Sequence, residues 1–206
     1  MSLWSDLISE GTILFTNKEQ LLNKRIELVR ACDELKADIR KICQSDDTSL
    51  NSLIAIKTKS GTQKSSYEGI NQLAHYWYCV AAALRLFDIG CTNIEITGGS
   101  ENNESKGDVV ATKPDGSLIV GEVYCVSSAL WPTKTLKEIK KLSSLGGNVE
   151  KFIFYNIEAK SNYSSKSKDI AFYGCDRNSS EINLMYYKDS NNNSNLVPQT
   201  NLSCCS

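Results

Sequence analysis

The residues GDVVATKPDGSLIVGEVYCV, 107 to 126, constrain this chain more than any other stretch. Two apolar runs, 109–111 and 118–126, are joined through Pro-Asp-Gly-Ser, a composition that turns a chain back on itself. Nearly every position of the second run is apolar, as in a central strand covered on both faces. The stretch predicts a β-hairpin deep in a sheet. Yet Asp108 heads one arm and Glu122 stands within the other. An ionised carboxylate buried without compensation costs several kcal/mol, which leaves three states: an ion pair, a raised pKa, or a bound cation. Antiparallel pairing brings residues 108 and 122 to the same end of the sheet, where two carboxylates repel. A hard divalent cation removes that repulsion. Mg²⁺, with Mn²⁺ as its substitute, suits a site of one or two carboxylates completed by water and substrate oxygens.

The elements around the hairpin follow from periodicity. Residues 18–44 carry Leu21, Leu28, Leu35 and Ile42 at seven-residue intervals, which predicts an amphipathic helix of about seven turns packed on the host domain. Residues 45–64 read as a connector around SLIAI. In residues 65–90, Ser65 stands three before Glu68 in capping-box spacing and Gly90 closes the segment. This predicts a long, largely buried helix with Glu68, Gln72 and His75 along one edge. TNIEIT follows as a strand. After the hairpin, Pro132 opens a helix over 132–145 with Leu136, Ile139 and Leu142 on one face and lysines on the other. KFIFYNIE, DIAFYG and INLMYY read as strands, and the Asn- and Ser-rich tail from Asp189 reads as disordered. The order predicts an α/β sandwich around a mixed central sheet: a helical extension and connector over 1–64, a core over 65–188, and a tail over 189–206.

Composition narrows the partners. A net charge of −1 from 23 basic and 24 acidic side chains excludes global attraction to polyanions, so such binding needs local patches. Eight cysteines without a CxxC pair, several inside apolar segments, speak against zinc and for reduced, buried thiols in the cytoplasm. No window is apolar enough for a membrane span, the N-terminus lacks a signal-peptide pattern, and Ser203 stands where a C-terminal prenylation box needs cysteine.

The order αβββαβ, with Gly107-Asp108 opening a strand and Glu122 in the next apolar strand before a lysine-bearing helix, resembles the PD-(D/E)XK nuclease superfamily, the restriction-endonuclease-like fold, over roughly residues 65–160. The resemblance implies a Mg²⁺-dependent endonuclease hydrolysing DNA phosphodiesters, with Asp108 and Glu122 as metal ligands and Glu68 as the helical acid. Gln72 and His75 would support that shell. The family's lysine two residues after the glutamate is replaced by Tyr124, so the lysine is sought on the following helix, at Lys134 first and Lys137 second. Lysines there and in 57–64 and 160–168 would meet phosphates. A duplex cutter that works as a symmetric dimer would pair through the helix at 18–44. Two readings stay open beside this one. The lysines of 134–141 are by default a solvated helix face, and Tyr124 also fits a nucleic-acid-binding or assembly subunit whose chemistry has decayed.

Overall fold

The structure, a computed structural model, describes residues 3–44, 56–57, 63–64, 66–98, 107–156, 158–159 and 169–175. The capping residue Ser65, the strand expected at 182–187, the tail, and the basic loop 160–168 lie outside these residues. Among the described residues, four helices, α1 (Leu3–Leu7), α2 (Lys18–Gln44), α3 (Ser66–Asp88) and α4 (Trp131–Ser143), accompany eight strands. The strands are β1 (Thr12–Phe15), β2 (Ile56–Lys57), β3 (Gln63–Lys64), β4 (Thr92–Thr97), β5 (Val109–Thr112), β6 (Leu118–Tyr124), β7 (Val149–Asn156) and β8 (Ile170–Cys175).

Six strands form one mixed sheet in the order β1-β4-β5-β6-β7-β8, and β2 pairs with β3 separately. Pairing is antiparallel from β1 to β6 and parallel from β6 to β8. The hairpin forms as its turn residues dictate. Lys113 N–H donates to Ser117 O at 2.8 Å, and Gly116 N–H donates back to Lys113 O at 2.9 Å. Helix α4 supplies the crossover that lets β7 run parallel to β6, as a parallel neighbour requires.

Strand alternation sorts the core into two layers. Ile119 and Val123 of β6 and Phe152 and Phe154 of β7 join α1, α2 and α3 in one cluster. Val120, Tyr124, Ile153 and Tyr155 join Trp131 and Leu142 of α4 in the other. The sheet is thus covered on both faces, an open α/β arrangement. The heptad leucines Leu21, Leu28 and Leu35 are buried in the first cluster, while Leu22, Ile26 and Val29 of the same helix stay exposed.

Two details depart from the sequence reading. No strand is expected at 12–15, a four-residue run too short to show its period, yet β1 pairs with β4 from Thr12↔Thr97 to Phe15↔Ile94 and forms the sheet's edge. On α4 the inward face is Trp131, Thr135, Glu138 and Leu142, and Leu136 is 67% exposed. The expected leucine face is rotated because β6 presents Tyr124 and Glu122 to this helix, and these want polar partners. The end of α3 follows the sequence signal. Gly90, at φ +87°, lets its own N–H reach Phe87 O and Cys91 N–H reach Leu86 O, the pair of bonds that terminates a helix through a left-handed residue.

One side chain extends the parallel ladder beyond its last residues. Asn156 Oδ1 accepts from Val126 N–H at 2.8 Å, and its Nδ2 donates to Val126 O at 3.0 Å. Replacing Asn156 with Ala orphans both backbone groups. We expect a loss of about 1–3 kcal/mol, read from urea unfolding midpoints at unchanged m-value.

Candidate active site at the head of the central hairpin

Gly107 sets the geometry. It sits at φ +67°, and a Cβ there would lie 2.6 Å from Val120 Cγ1 and 3.0 Å from Gly121 O. Only glycine takes this bend against the neighbouring strand, and Asp108 follows immediately. The backbone of Asp108 remains in the ladder: its N–H donates to Gly121 O and its carbonyl accepts from Thr97 N–H, both at 2.9 Å. The register Val109↔Gly121, carried one step further, sets Asp108 across from Glu122.

The two acids have different surroundings. Asp108 Oδ2 accepts from Val123 N–H at 2.8 Å, while Oδ1 lies 3.8 Å from His75 Nε2 on α3, and its side chain is 22% exposed. Glu122 is 2% exposed and points to the α4 side, where Lys141 Nζ lies 2.8 Å from its Oε1. An ammonium at that distance occupies Oε1. Burial, followed by the charge of Asp108, pushes the Glu122 carboxyl up to about 9 against the opposing pull of Lys141. For Lys141, burial alone would lower the pKa; the Glu122 hydrogen bond and the surrounding carboxylates outweigh it and raise the value. Glu122 is therefore largely protonated at neutral pH in the metal-free chain.

This shift has a measurable consequence. Between the ordinary value of 4.5 and about 9, the folded chain holds a proton on Glu122 that the unfolded chain releases. Its contribution to stability is thus complete below the lower value and is lost as pH rises through the upper one. Relative to Glu122→Gln, the wild-type chain should lose stability steadily across that window in chelator-treated buffer. Unfolding midpoints of both proteins at several pH values test this; parallel curves would refute it.

Lys134 and Lys137 behave differently. Lys134 Nζ meets Glu138 Oε1 at 2.5 Å and lies 5.9 Å from the centre of the Tyr124 ring. Lys137 is exposed on the outer side of α4. The Tyr124 hydroxyl and Thr135 Oγ1 share a buried 2.6 Å hydrogen bond, which gives this tyrosine a packing role. Gln72 and His75 line a cleft beside Lys134, whereas half-buried Glu68 does not reach its wall. Cys79 Sγ lies 3.5 Å from His75 Nε2, but burial first, then Asp108 and Glu122, push its thiol well up, so it is not a nucleophile.

Sequence reasoning missed Glu138 and Lys141. Both lie on the helix face of Lys134, at i+4 and i+7, and that spacing alone could have shown that α4 turns charged groups inward. Among the described residues, no group of three or more His, Cys, Asp or Glu side chains could hold a metal ion. Asp108 and Glu122 are both oxygen donors of the kind Mg²⁺ prefers, and Asp108 is partly open to solvent, but Glu122 is 2% exposed with Lys141 against its Oε1, so an ion there would have to displace that lysine. Among the described residues no helix is long and apolar enough to cross a membrane. Comparison with protein-family models, curated proteins and solved structures gave no match.

Proposed function

We propose that the chain is a Mg²⁺-dependent endonuclease of the PD-(D/E)XK kind, cleaving phosphodiester bonds in DNA. One observation carries this reading: a glycine-forced bend places Asp108 across an antiparallel register from buried Glu122, and its partners His75 and Val123 line a cleft that also holds Lys134. The element order α3-β4-β5-β6-α4-β7, with one helix layer on each sheet face, supports the restriction-endonuclease-like assignment. Asp108 and Glu122 would hold the ion, whose chemistry when bound is to supply a nucleophile at neutral pH and to offset phosphate charge. Asp108 is held ready for this by the Val123 N–H, which fixes one carboxylate oxygen and leaves the other turned towards His75. Lys134 would bind the anionic phosphate from the side of α4. Glu138 sets the position of its ammonium. Lys141 Nζ lies against Glu122 Oε1, so a bound cation would have to displace both that lysine and the carboxyl proton.

That last contact also favours a second reading. A glutamate that is 2% exposed and already paired, with Tyr124 bonded into the fold at the lysine position, is what a DNA-binding module without chemistry would show. Calorimetric titration with Mg²⁺ and Mn²⁺, together with incubation on supercoiled and single-stranded circular DNA, separates the two. The nuclease binds one or two ions and cuts only when they are present. A protein that takes up no divalent cation and leaves both substrates intact is the module.

A further inference from the structure

The cleft beside Asp108 has a volume of about 620 Å³ and lies between the first turns of α3 and the loop that leaves β6. A space of this size falls in the range of roughly 300–1,000 Å³ that encloses a single small ligand. One nucleotide fits in it; an intact duplex, which presents its bases stacked and paired, does not. The chemistry of the walls is specific. Tyr67 is 73% exposed at the cleft, an aromatic ring left in water, although Tyr76 and Tyr78 of the same helix are buried. One turn on, Asn71 and Gln72 also line the cleft. Each offers a donor and an acceptor, the pairing that reads a base edge. Opposite, Ser127 and Ser128 stand on the loop that Asn156 holds in place through Val126. His75 and Val123 mark the end nearest Asp108, and Lys134, Glu158 and Ala159 complete the walls.

We propose that this cleft takes one unpaired nucleobase, stacked on Tyr67 and read by Asn71 and Gln72, so that the chain acts on single-stranded or locally opened DNA in preference to intact duplex. The inference rests on the nuclease reading for calling the base part of a substrate, but base binding is measurable without cleavage. Stacking on an aromatic ring is sequence-tolerant, and its loss by alanine substitution weakens binding by roughly 5- to 150-fold. The exposure of Tyr67 means that its removal leaves the core untouched.

The test is fluorescence anisotropy of a labelled 12-nucleotide single strand, and of the same sequence as a blunt duplex, with wild-type protein in chelator at fixed salt. The single strand should bind at least about tenfold more tightly than the duplex. Tyr67→Ala should weaken single-strand binding by about tenfold or more, Tyr67→Trp should retain it, and Asn71→Ala should shift the preference among homopolymeric strands. The melting temperature of each variant should stay at the wild-type value. Equal affinity for both forms, no binding of the single strand, or wild-type affinity in Tyr67→Ala would overturn the inference. Metal-dependent cleavage that ignores Tyr67 would remove the base cleft and leave the nuclease; Tyr67-dependent binding without any cleavage would do the reverse.

Discussion

Asp108→Ala is expected to lower metal-dependent DNA cleavage by at least about a thousandfold, with the fold intact. The carboxylate is partly exposed, and its one firm protein contact is the Val123 N–H at 2.8 Å. Its loss therefore orphans a single backbone donor at a site that water can reach, and should cost about 1 kcal/mol of stability. Catalysis should suffer far more, because the substitution removes one of the two carboxylates proposed to hold the ion. Asp108→Asn sharpens the distinction: it can still accept from Val123 N–H, so stability is retained while the anionic ligand is gone. Glu122→Gln should abolish cleavage in the same way, yet it removes a carboxyl that burial and Asp108 have pushed up to about 9, and so should leave the metal-free chain at least as stable in alkaline buffer. Lys134→Ala tests the relocated lysine. A loss of about 100-fold in rate at unchanged metal affinity is expected if its ammonium meets the phosphate. Cleavage by Asp108→Asn at the wild-type rate would end the proposal.

Much of this arrangement is visible in the linear chain, and the rest is hidden for identifiable reasons. The hairpin is legible because its turn residues and its two apolar arms agree, and the long helix α3 is legible from Gly90, whose left-handed conformation ends it. Asp108 and Glu122 stand out because acids inside apolar runs conflict with burial, a conflict that needs no fold to be seen. The edge strand β1 is not legible: four residues, TILF, cannot establish a period, and pairing with β4 decides their state. The inward face of α4 is misread for a different reason. Leucine spacing favours Leu136, but the sheet surface beneath is not apolar: the Tyr124 hydroxyl and the Glu122 carboxyl face the helix and draw Thr135 and Lys141 inward. Which lysine meets which acid is a property of that rotation. A heptad count cannot supply it. The Tyr67 surface is likewise set by tertiary packing, since Tyr67, Tyr76 and Tyr78 look alike along the helix and only the last two are buried in the fold.

The largest structural effect should come from a residue with no side chain. Gly121 lies in β6 opposite Phe152 of β7, and a Cβ added to it would stand 1.9 Å from two atoms of the Phe152 ring. The ring lies over the strand because nothing projects there. Phe152 is 1% exposed and packs edge-on to Phe154 at 4.9 Å and to Tyr173 at 6.5 Å, so it has no free direction in which to retreat. Gly121→Ala must therefore displace an aromatic ring in the middle of the first core cluster, or push β6 away from β7. Overpacking of a closed core costs about 1–3 kcal/mol and occasionally more, and the overlap here belongs at the upper end. For a domain of this size, about 3 kcal/mol corresponds to a fall in melting temperature of roughly 6–12 °C. The strand shift would also disturb Glu122 and Val123, the next two residues, so metal affinity should fall together with stability. Shrinking the obstacle gives the decisive control. Phe152→Leu alone should destabilise by leaving a void, whereas in the Gly121→Ala/Phe152→Leu double variant the new methyl group takes part of that void. A favourable coupling of about 1–3 kcal/mol between the two substitutions is expected. Strict additivity would mean that the ring is not held over Gly121, and that the close approach of β6 and β7 is not what keeps Glu122 at its depth.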